Sequence, residues 1–283
     1  MDVSRRVLTP ISLLTIEGEL IGQRLADYTV TKSCTQPGGS CNVVLADKGA
    51  SLAVEPGDKL TLALGYAGEW QATTVFTGWI QEVRRRPRFE IRALDDYYLQ
   101  LQKISVSLRR MTPAKVVADL LERVQPELEI SALALPSQRL RHFQGKQRCV
   151  KDLLRDLRST LIKRKWPIDG TRYAETVYPF WRIDCEGNFS WAPWADVTAM
   201  PFRFEYAKNI SEFDPAEASV AEQGLLRLVS FPHPWVHAGD TVIVDHPRLG
   251  APTRLRVDTH TISKSGTDRT RSVLFLSRLL EAA

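Results

Sequence analysis

Two histidines in this chain have a spacing that could support metal binding. His233 and His237 are four residues apart, a spacing that binds metal ions when it occurs on a helix. Prolines on both sides of His233 exclude that helix, so only a loop site with Asp240 or Asp245 stays open. Because the chain has no HExxH motif and no tight Cys/His cluster, we expect no metal site.

Carboxylates could act as acid and base if two of them flanked a cleft, as in a glycosidase. The pairs available are Glu17 with Glu19, Asp95 with Asp96, and the acid–base pair Asp258 with His260 on one face of a predicted strand. Adjacent carboxylates in turns are expected to face water. There is no GxSxG motif and no glycine-rich nucleotide-binding loop, so the sequence predicts neither an enzyme nor a cofactor.

Aromatic residues crowd one predicted hairpin and form a candidate binding surface. They are Tyr178, Trp181, Trp191 and Trp194. Tryptophan and tyrosine dominate the hot spots of protein interfaces, so this hairpin could contact a carbohydrate or a protein. The same side chains could instead form the core of a small domain, and the sequence leaves both interpretations open.

Basic residues are densest at Arg84, Arg85 and Arg86, with a second cluster at 163–165. One interpretation is solvated loop charge. The other is contact with an acidic partner surface or with passing DNA. Together with the aromatic hairpin, the three arginines complete the set of candidate protein-interface residues.

Composition places the chain among ordinary globular proteins. It has 283 residues, 43% of them apolar and 25% charged, with a formal charge of +5. No apolar run reaches 18 residues, so no membrane insertion is expected. The first residues lack the apolar stretch of a signal peptide, so we expect the protein to stay in the cytosol of its producer, with Cys34 and Cys41 as free thiols.

Three segments of different periodicity must position these residues. Residues 1–107 contain about six short alternating strands, residues 108–205 contain two helices and the aromatic hairpin, and residues 206–283 return to strands after an irregular stretch at 205–225. The helices are expected at about 113–124 and 150–163. This pattern predicts a mainly β fold with an α+β insertion: two small β-barrel domains of similar topology flank a helix-containing middle domain.

A weak internal repeat connects the two β segments. Residues 55–62 resemble residues 237–244, because a Gly-Asp turn starts an alternating strand in each, and two further strands follow in the same order. Three copies of a chain with two similar units would present six units in a ring. Such a ring is three-fold by chain and nearly six-fold by shape.

The order of several short motifs resembles the phage late control D and tail baseplate hub family, which includes the hub-like base of type VI secretion spikes. The matching motifs are LTIEG at 14–18, PGD at 56–58, FTGWI at 76–80, IRALD at 91–95, MTPAKVVADLL at 111–121, GNFSW at 187–191 and AGDTV at 238–242. No fused spike or lysozyme module is evident, so those activities would belong to another chain.

The resemblance implies a structural protein with several partners. These would be two further copies of itself in a homotrimer, the tail tube or a distal tail protein, the central spike protein and other baseplate proteins, with transient contact to DNA in the channel. It implies a location in the virion tail baseplate after assembly in the host cytoplasm. The alternative function is a carbohydrate- or receptor-binding tail accessory protein that uses the Trp-rich hairpin.

Overall fold

The computed structural model describes residues 10–21, 25–46, 52–67, 72–85, 87–125, 128–173, 178–192, 201–215, 226–265 and 270–278. Its first strands and helix are β1 (Pro10–Ile16), β2 (Glu19–Leu20), β3 (Leu25–Ser33), β4 (Ser40–Leu45), β5 (Lys59–Tyr66), β6 (Thr73–Arg84), β7 (Phe89–Leu94) and α1 (Tyr97–Leu101). The middle elements are β8 (Lys103–Met111), α2 (Pro113–Glu122), β9 (Ile130–Leu133), β10 (Leu140–Cys149), α3 (Val150–Arg164), β11 (Arg182–Ile183) and β12 (Phe189–Trp191). The last are β13 (Phe202–Glu205), β14 (Ile210–Pro215), β15 (Leu226–Ser230), β16 (Thr241–Asp245), β17 (Thr253–Lys264) and β18 (Arg271–Arg278).

Two five-stranded units of the same topology make up most of the large sheet, which also contains β1, β2 and β13. In the first unit the spatial order is β3-β4-β7-β6-β5, and in the second it is β14-β15-β18-β17-β16. Every neighbouring pair within both units is antiparallel. The predicted repeat is therefore confirmed, and it is longer by two strands than the sequence indicated.

The Gly-Asp turns of the two units have matching hydrogen bonds. Gly57 N donates to Ile80 O at 2.8 Å, and Gly239 N donates to Val257 O at 2.6 Å. A side-chain oxygen of Asp58 accepts from the backbone N–H three residues earlier at 2.8 Å, and Asp240 does the same at 2.7 Å. Both glycines have positive φ, +102° and +99°, which explains why glycine occupies each turn.

The two units share one open sheet instead of forming two closed barrels. Strand β17 pairs with β18 and β16 in its own unit and, through Thr259–Lys264, with β3 of the first unit. The main path of this sheet is open and ends at β2 on one side and β14 on the other, while β16 and then β13 branch from β17. The mainly β class is confirmed, whereas the predicted barrels are corrected to one continuous sheet, because the long β17 reaches across both units.

Three hydrophobic cores lie under these elements. The first contains buried side chains from residue 14 to residue 93 and Ile262 of β17. The second contains side chains from residues 99 to 191, and the third from residues 204 to 276. Since β17 also contributes Leu255 and Val257 to the third core, this one strand ties the first and third cores together.

The helices of the middle segment occur where the sequence predicted them. Thr112 caps α2 by accepting a hydrogen bond from Lys115 N at 3.4 Å, and Pro113 occupies the first helical position. Helix α3 ends at Lys165 in the left-handed conformation. No described helix is long and apolar enough to cross a membrane.

The prediction of an irregular stretch at 205–225 was wrong for residues 210–215, and residues 216–225 lie outside the described part of the chain. Residues 210–215 form β14, which pairs with β15, and Phe213 is buried in the third core. A single inward-facing aromatic residue among polar neighbours gives too weak an alternation to reveal a strand in sequence.

Candidate functional site

A network of buried charges lies where the first unit meets the middle segment. Lys32 on β3 donates from Nζ to the carbonyl oxygens of Ile183 and Asp184, at 3.1 and 2.9 Å. The same Nζ lies 3.3 Å from Asp95 Oδ2 at the end of β7. Lys32 therefore connects β3, the end of β7 and the turn after β11.

Asp95 and Asp96 are both buried, with 1% and 2% of their surfaces exposed. Asp95 accepts a hydrogen bond from Gly39 N at 2.7 Å, and Asp96 forms an ion pair with Lys151 of α3 at 2.6 Å. Gln100 donates to Asp96 Oδ1 at 2.6 Å. The expectation that these adjacent carboxylates face water was wrong, because each has its own buried cationic partner.

The turn between β3 and β4 must be glycine to fit over these carboxylates. A Cβ atom at Gly38 would lie 2.6 Å from Asp96 Oδ2, and one at Gly39 would lie 2.7 Å from Asp95 Oδ2. Gly38 also has φ of +89°. Steric contact therefore disfavours a larger residue at both positions, and the backbone conformation disfavours one at Gly38 as well.

Burial raises the pKa of Asp95 to about 6, with the neighbouring Lys32 opposing the shift. The carboxylate and ammonium groups form a full ion pair only when the pH is above this value. The network is therefore a structural connection whose strength depends on pH, because protonation of Asp95 removes the charge that faces Lys32.

A cavity of about 680 Å³ opens beside this network. Strands β3 and β17, the start of β6, the turn after β11 and the loop before β16 line it. Its polar lining includes Lys32, Arg182, Asp184, Glu186 and Asp240. The mixture of both charge signs gives the cavity no clear preference for an anion or a cation.

A cysteine and a histidine in this cavity lie near enough to each other to be considered as a nucleophile–base pair. Cys185 Sγ lies 3.7 Å from His237 Nδ1 and 3.3 Å from Val75 O. Desolvation raises the pKa of the Cys185 thiol and lowers the pKa of His237. Both shifts favour the neutral pair over thiolate and imidazolium, so the arrangement does not activate the thiol.

The histidines considered for metal binding diverge. His233 is packed among Phe202, Phe204 and Trp235, with ring centroids 4.5 to 5.5 Å away, while His237 faces Cys185. Among the residues that the structure describes, no group of three or more His, Cys, Asp or Glu side chains could hold a metal ion.

The strand pair Asp258 and His260 also separates. Asp258 accepts from Arg256 Nε at 2.7 Å, whereas His260 contacts Val236 O and Ser272 Oγ at 2.8 and 2.9 Å. Burial lowers the pKa of His260 to about 4, so its ring is neutral at pH 7. Both residues have structural partners and do not face each other as acid and base.

The aromatic hairpin is part of the second hydrophobic core, which contains side chains from residues 99 to 191 and is called the middle core below. Trp181, Trp191 and Tyr178 are 1%, 0% and 2% exposed, and the two tryptophan rings are 5.5 Å apart. This is the second of the two interpretations that the sequence left open. Trp194 lies outside the described residues.

Two arginines of the first basic cluster, Arg84 and Arg85, are on the surface. Arg84 Nε donates to Glu82 Oε1 at 2.7 Å, and the Arg84 side chain is 63% exposed. Arg85 is exposed and lies over the ring of Phe89 at 5.8 Å. Arg86 lies outside the described residues, and a role of this cluster in an interface stays a prediction.

The four cysteines are free thiols, and Cys34 and Cys41 are buried. Burial raises the pKa of each of these two thiols to about 12. Both therefore stay protonated and unreactive at neutral pH.

No protein-family model matches the chain, and no curated protein matches it by sequence. Solved structures match it over most of its length. The 43 kDa tail protein of prophage MuSo2 from Shewanella oneidensis has a TM-score of 0.66 at 12% identity, covering 95% of this chain and 98% of that one. The tail protein from Neisseria meningitidis MC58 has a TM-score of 0.62 at 12% identity, covering 95% and 96%.

An Escherichia coli component of the type VI secretion system, described as structurally similar to T4 bacteriophage tail proteins, also matches. Its TM-score is 0.59 at 11% identity, covering 95% of this chain and 77% of that one. Likenesses at this identity establish the fold. The chain therefore has the fold of these tail and secretion proteins, and the resemblance predicted from short motifs is confirmed at that level.

Proposed function

We propose that this chain is a structural baseplate hub protein of a phage tail or related contractile injection system. It forms a trimeric, pseudo-six-fold ring that joins the tail tube to the central spike and leaves a channel for ejection. One observation carries the proposal: the likeness to the Shewanella tail protein spans nearly the whole of both chains, so it includes the duplicated sheet and the middle segment together.

The duplication supports a ring that matches two symmetries. Each chain contributes two units of equal strand order, so three chains offer six similar units to a six-fold tube. The middle segment occurs once per chain and can meet a three-fold spike. The division into residues 1–107, 108–205 and 206–283 belongs to this proposal.

Exposed apolar side chains provide candidate subunit contacts. Phe231 and Trp235 are 52% and 42% exposed and close in sequence, and Leu20, on the edge strand β2, is 66% exposed. Aromatic side chains of this kind dominate the binding energy of protein interfaces. Arg84 and Arg85 are further candidates, at the rim of an interface.

The candidate catalytic groups are paired or neutral, which favours a structural binding role over catalysis. The buried carboxylates of Asp95 and Asp96 are paired with lysines, and the Cys185–His237 pair is neutral. The alternative role in carbohydrate binding has little support, because Trp181 and Trp191 could reach a sugar only if the middle core opened.

Electron microscopy of the purified chain tests the proposal. We expect class averages of a ring with three-fold symmetry and six similar peripheral densities around an open centre. Particles of a single chain at all concentrations, both alone and with tail-tube protein added, would contradict it.

A further inference from the structure

A two-stranded ribbon made of β8 and β10 has no acidic residue. Residues 97–118 and 130–151, which include both strands, contain no Asp or Glu, although the chain has 33 of these residues. The ribbon carries the exposed cations Lys103, Arg109, Arg110, Arg141 and Lys146. None of these five forms an ion pair within the part of the chain that the structure describes.

One face of the ribbon is fixed to the middle core. Val106, Leu140 and Phe143 are buried, and Gly145 lies so close to α3 that a Cβ atom there would clash with Leu153 Cδ2. Arg148 forms an ion pair with Asp156 of α3. The ribbon is therefore held firmly, and its opposite face is left to solvent.

The exposed positions of the solvent face carry polar and basic side chains. In the strand register Arg109 lies opposite His142 and Ser107 lies opposite Gln144, and all four are exposed. Lys103 follows on the same face, six residues from Arg109, which places the two cations about 20 Å apart along the strand. This distance exceeds the width of about 12 Å of the DNA major groove, so the two cations can reach phosphates on both sides of it.

We propose that the solvent face of the β8–β10 ribbon binds the phosphate backbone of double-stranded DNA without sequence preference. Hydroxyl, amide and cationic side chains are the groups that contact phosphates in protein–DNA complexes. The face lacks the aromatic and apolar residues that form the centre of a protein interface, and it lacks the aromatic platforms on which single-stranded bases stack. DNA binding by the ribbon does not depend on the proposed hub function, because it requires neither a ring nor a channel.

Binding of the full chain to a fluorescent duplex of mixed sequence, followed by anisotropy between about 50 and 200 mM salt, tests the proposal. The ribbon variant is Lys103→Gln, Arg109→Gln, Arg141→Gln and Lys146→Gln. The control variant is Lys115→Gln, Lys163→Gln, Arg172→Gln and Arg271→Gln, which removes four exposed cations elsewhere. Both variants have the same net charge, and circular dichroism confirms that each is folded.

We expect the ribbon variant to bind at least roughly tenfold more weakly than the wild type and the control variant. The slope of log K against log salt should fall in magnitude by up to about 3.6, at about 0.9 for each of the four phosphates that the variant no longer neutralises. A second duplex of unrelated sequence should bind equally well. Equal weakening in both variants would show that the net positive charge of the chain attracts DNA without a defined site. Stronger binding to polyglutamate than to DNA would indicate an acidic protein partner. Either result would overturn the proposal, as would a wild type that does not bind DNA.

Discussion

Lys32 connects more parts of the fold than any other charged side chain in the buried network. It is 15% exposed and holds two backbone carbonyls of the middle segment and the buried carboxylate of Asp95. Removing one partner of a buried ion pair leaves the other charge without compensation, which costs about 3–5 kcal/mol. Lys32→Met should therefore lower the free energy of unfolding by about that amount, measured by urea denaturation with tryptophan fluorescence.

Lys208 provides the matched control, because its ion pair with Glu205 is on the surface and its side chain is 71% exposed. Lys208→Met should change the free energy of unfolding by less than about 0.5 kcal/mol. The double variant Lys32→Met/Asp95→Asn should recover part of the stability, since neither charge of this ion pair is then left without its partner. Equal effects of Lys32→Met and Lys208→Met would contradict a structural role for the network.

His260 should make the protein less stable in mild acid. Burial lowers the pKa of this ring to about 4, below its value in an unfolded chain, so the unfolded state binds the proton more readily. The stabilisation is present above about pH 6.5 and is lost as the pH falls toward 4. Between pH 7 and pH 5 the decrease from this residue is about 2 kcal/mol.

His260→Gln should reduce the difference in unfolding free energy between pH 7 and pH 5 by about that amount. His142→Gln, at an exposed ribbon position, is the control and should keep the wild-type difference. An unchanged difference in His260→Gln would show that the histidine is not buried as a neutral ring.

Residue types alone identified which side chains could do chemistry but not where those side chains lie. Asp95 and Asp96 were expected in water, because their partners Lys32 and Lys151 are distant in sequence. The same holds for Cys185 and His237, which only the tertiary structure brings together. Burial of a polar group depends on such long-range partners, and a single sequence does not give them.

At the scale of elements, the two Gly-Asp turns should be equivalent. Asp58 and Asp240 each accept a backbone hydrogen bond at 2.8 and 2.7 Å. Replacing either with alanine leaves that backbone N–H without its acceptor and should cost about 1 kcal/mol. The two costs, measured by urea denaturation, should agree within about 0.5 kcal/mol.

Asparagine keeps an oxygen acceptor at the same place, so Asp58→Asn and Asp240→Asn should cost less than half as much as the alanine variants. If the free energy of unfolding falls at one turn and does not change at the other, the two units share their strand order but the two turns do not contribute equally to stability.

Local signals predicted some elements and missed others. Helices α2 and α3 have clear apolar faces and a capping threonine or basic last turn, so both were found. Strands β8 and β10 were missed, because the register irregularity between Gly145 and Arg148 and the positive φ angles of Arg110 and Gln147 interrupt their alternation. The absence of acidic residues from both stretches was visible in the sequence and could have indicated the ribbon.

At the scale of the whole molecule, the repeat was predictable and the continuous sheet was not. A Gly-Asp turn followed by three strands recurs in the sequence, which predicted two similar units. The pairing of β17 with β3 joins strands more than 200 residues apart, and no local pattern encodes that contact. Two separate barrels were therefore predicted where one sheet connects both units.

Assembly of three chains into one ring is the central claim, and the mass in solution tests it most directly. Light scattering should be measured over a range of protein concentrations, with and without tail-tube protein. We predict a mass of three times 32.0 kDa, because three duplicated chains complete a pseudo-six-fold ring. A mass of 32.0 kDa at every concentration, with and without tail-tube protein, would contradict the hub.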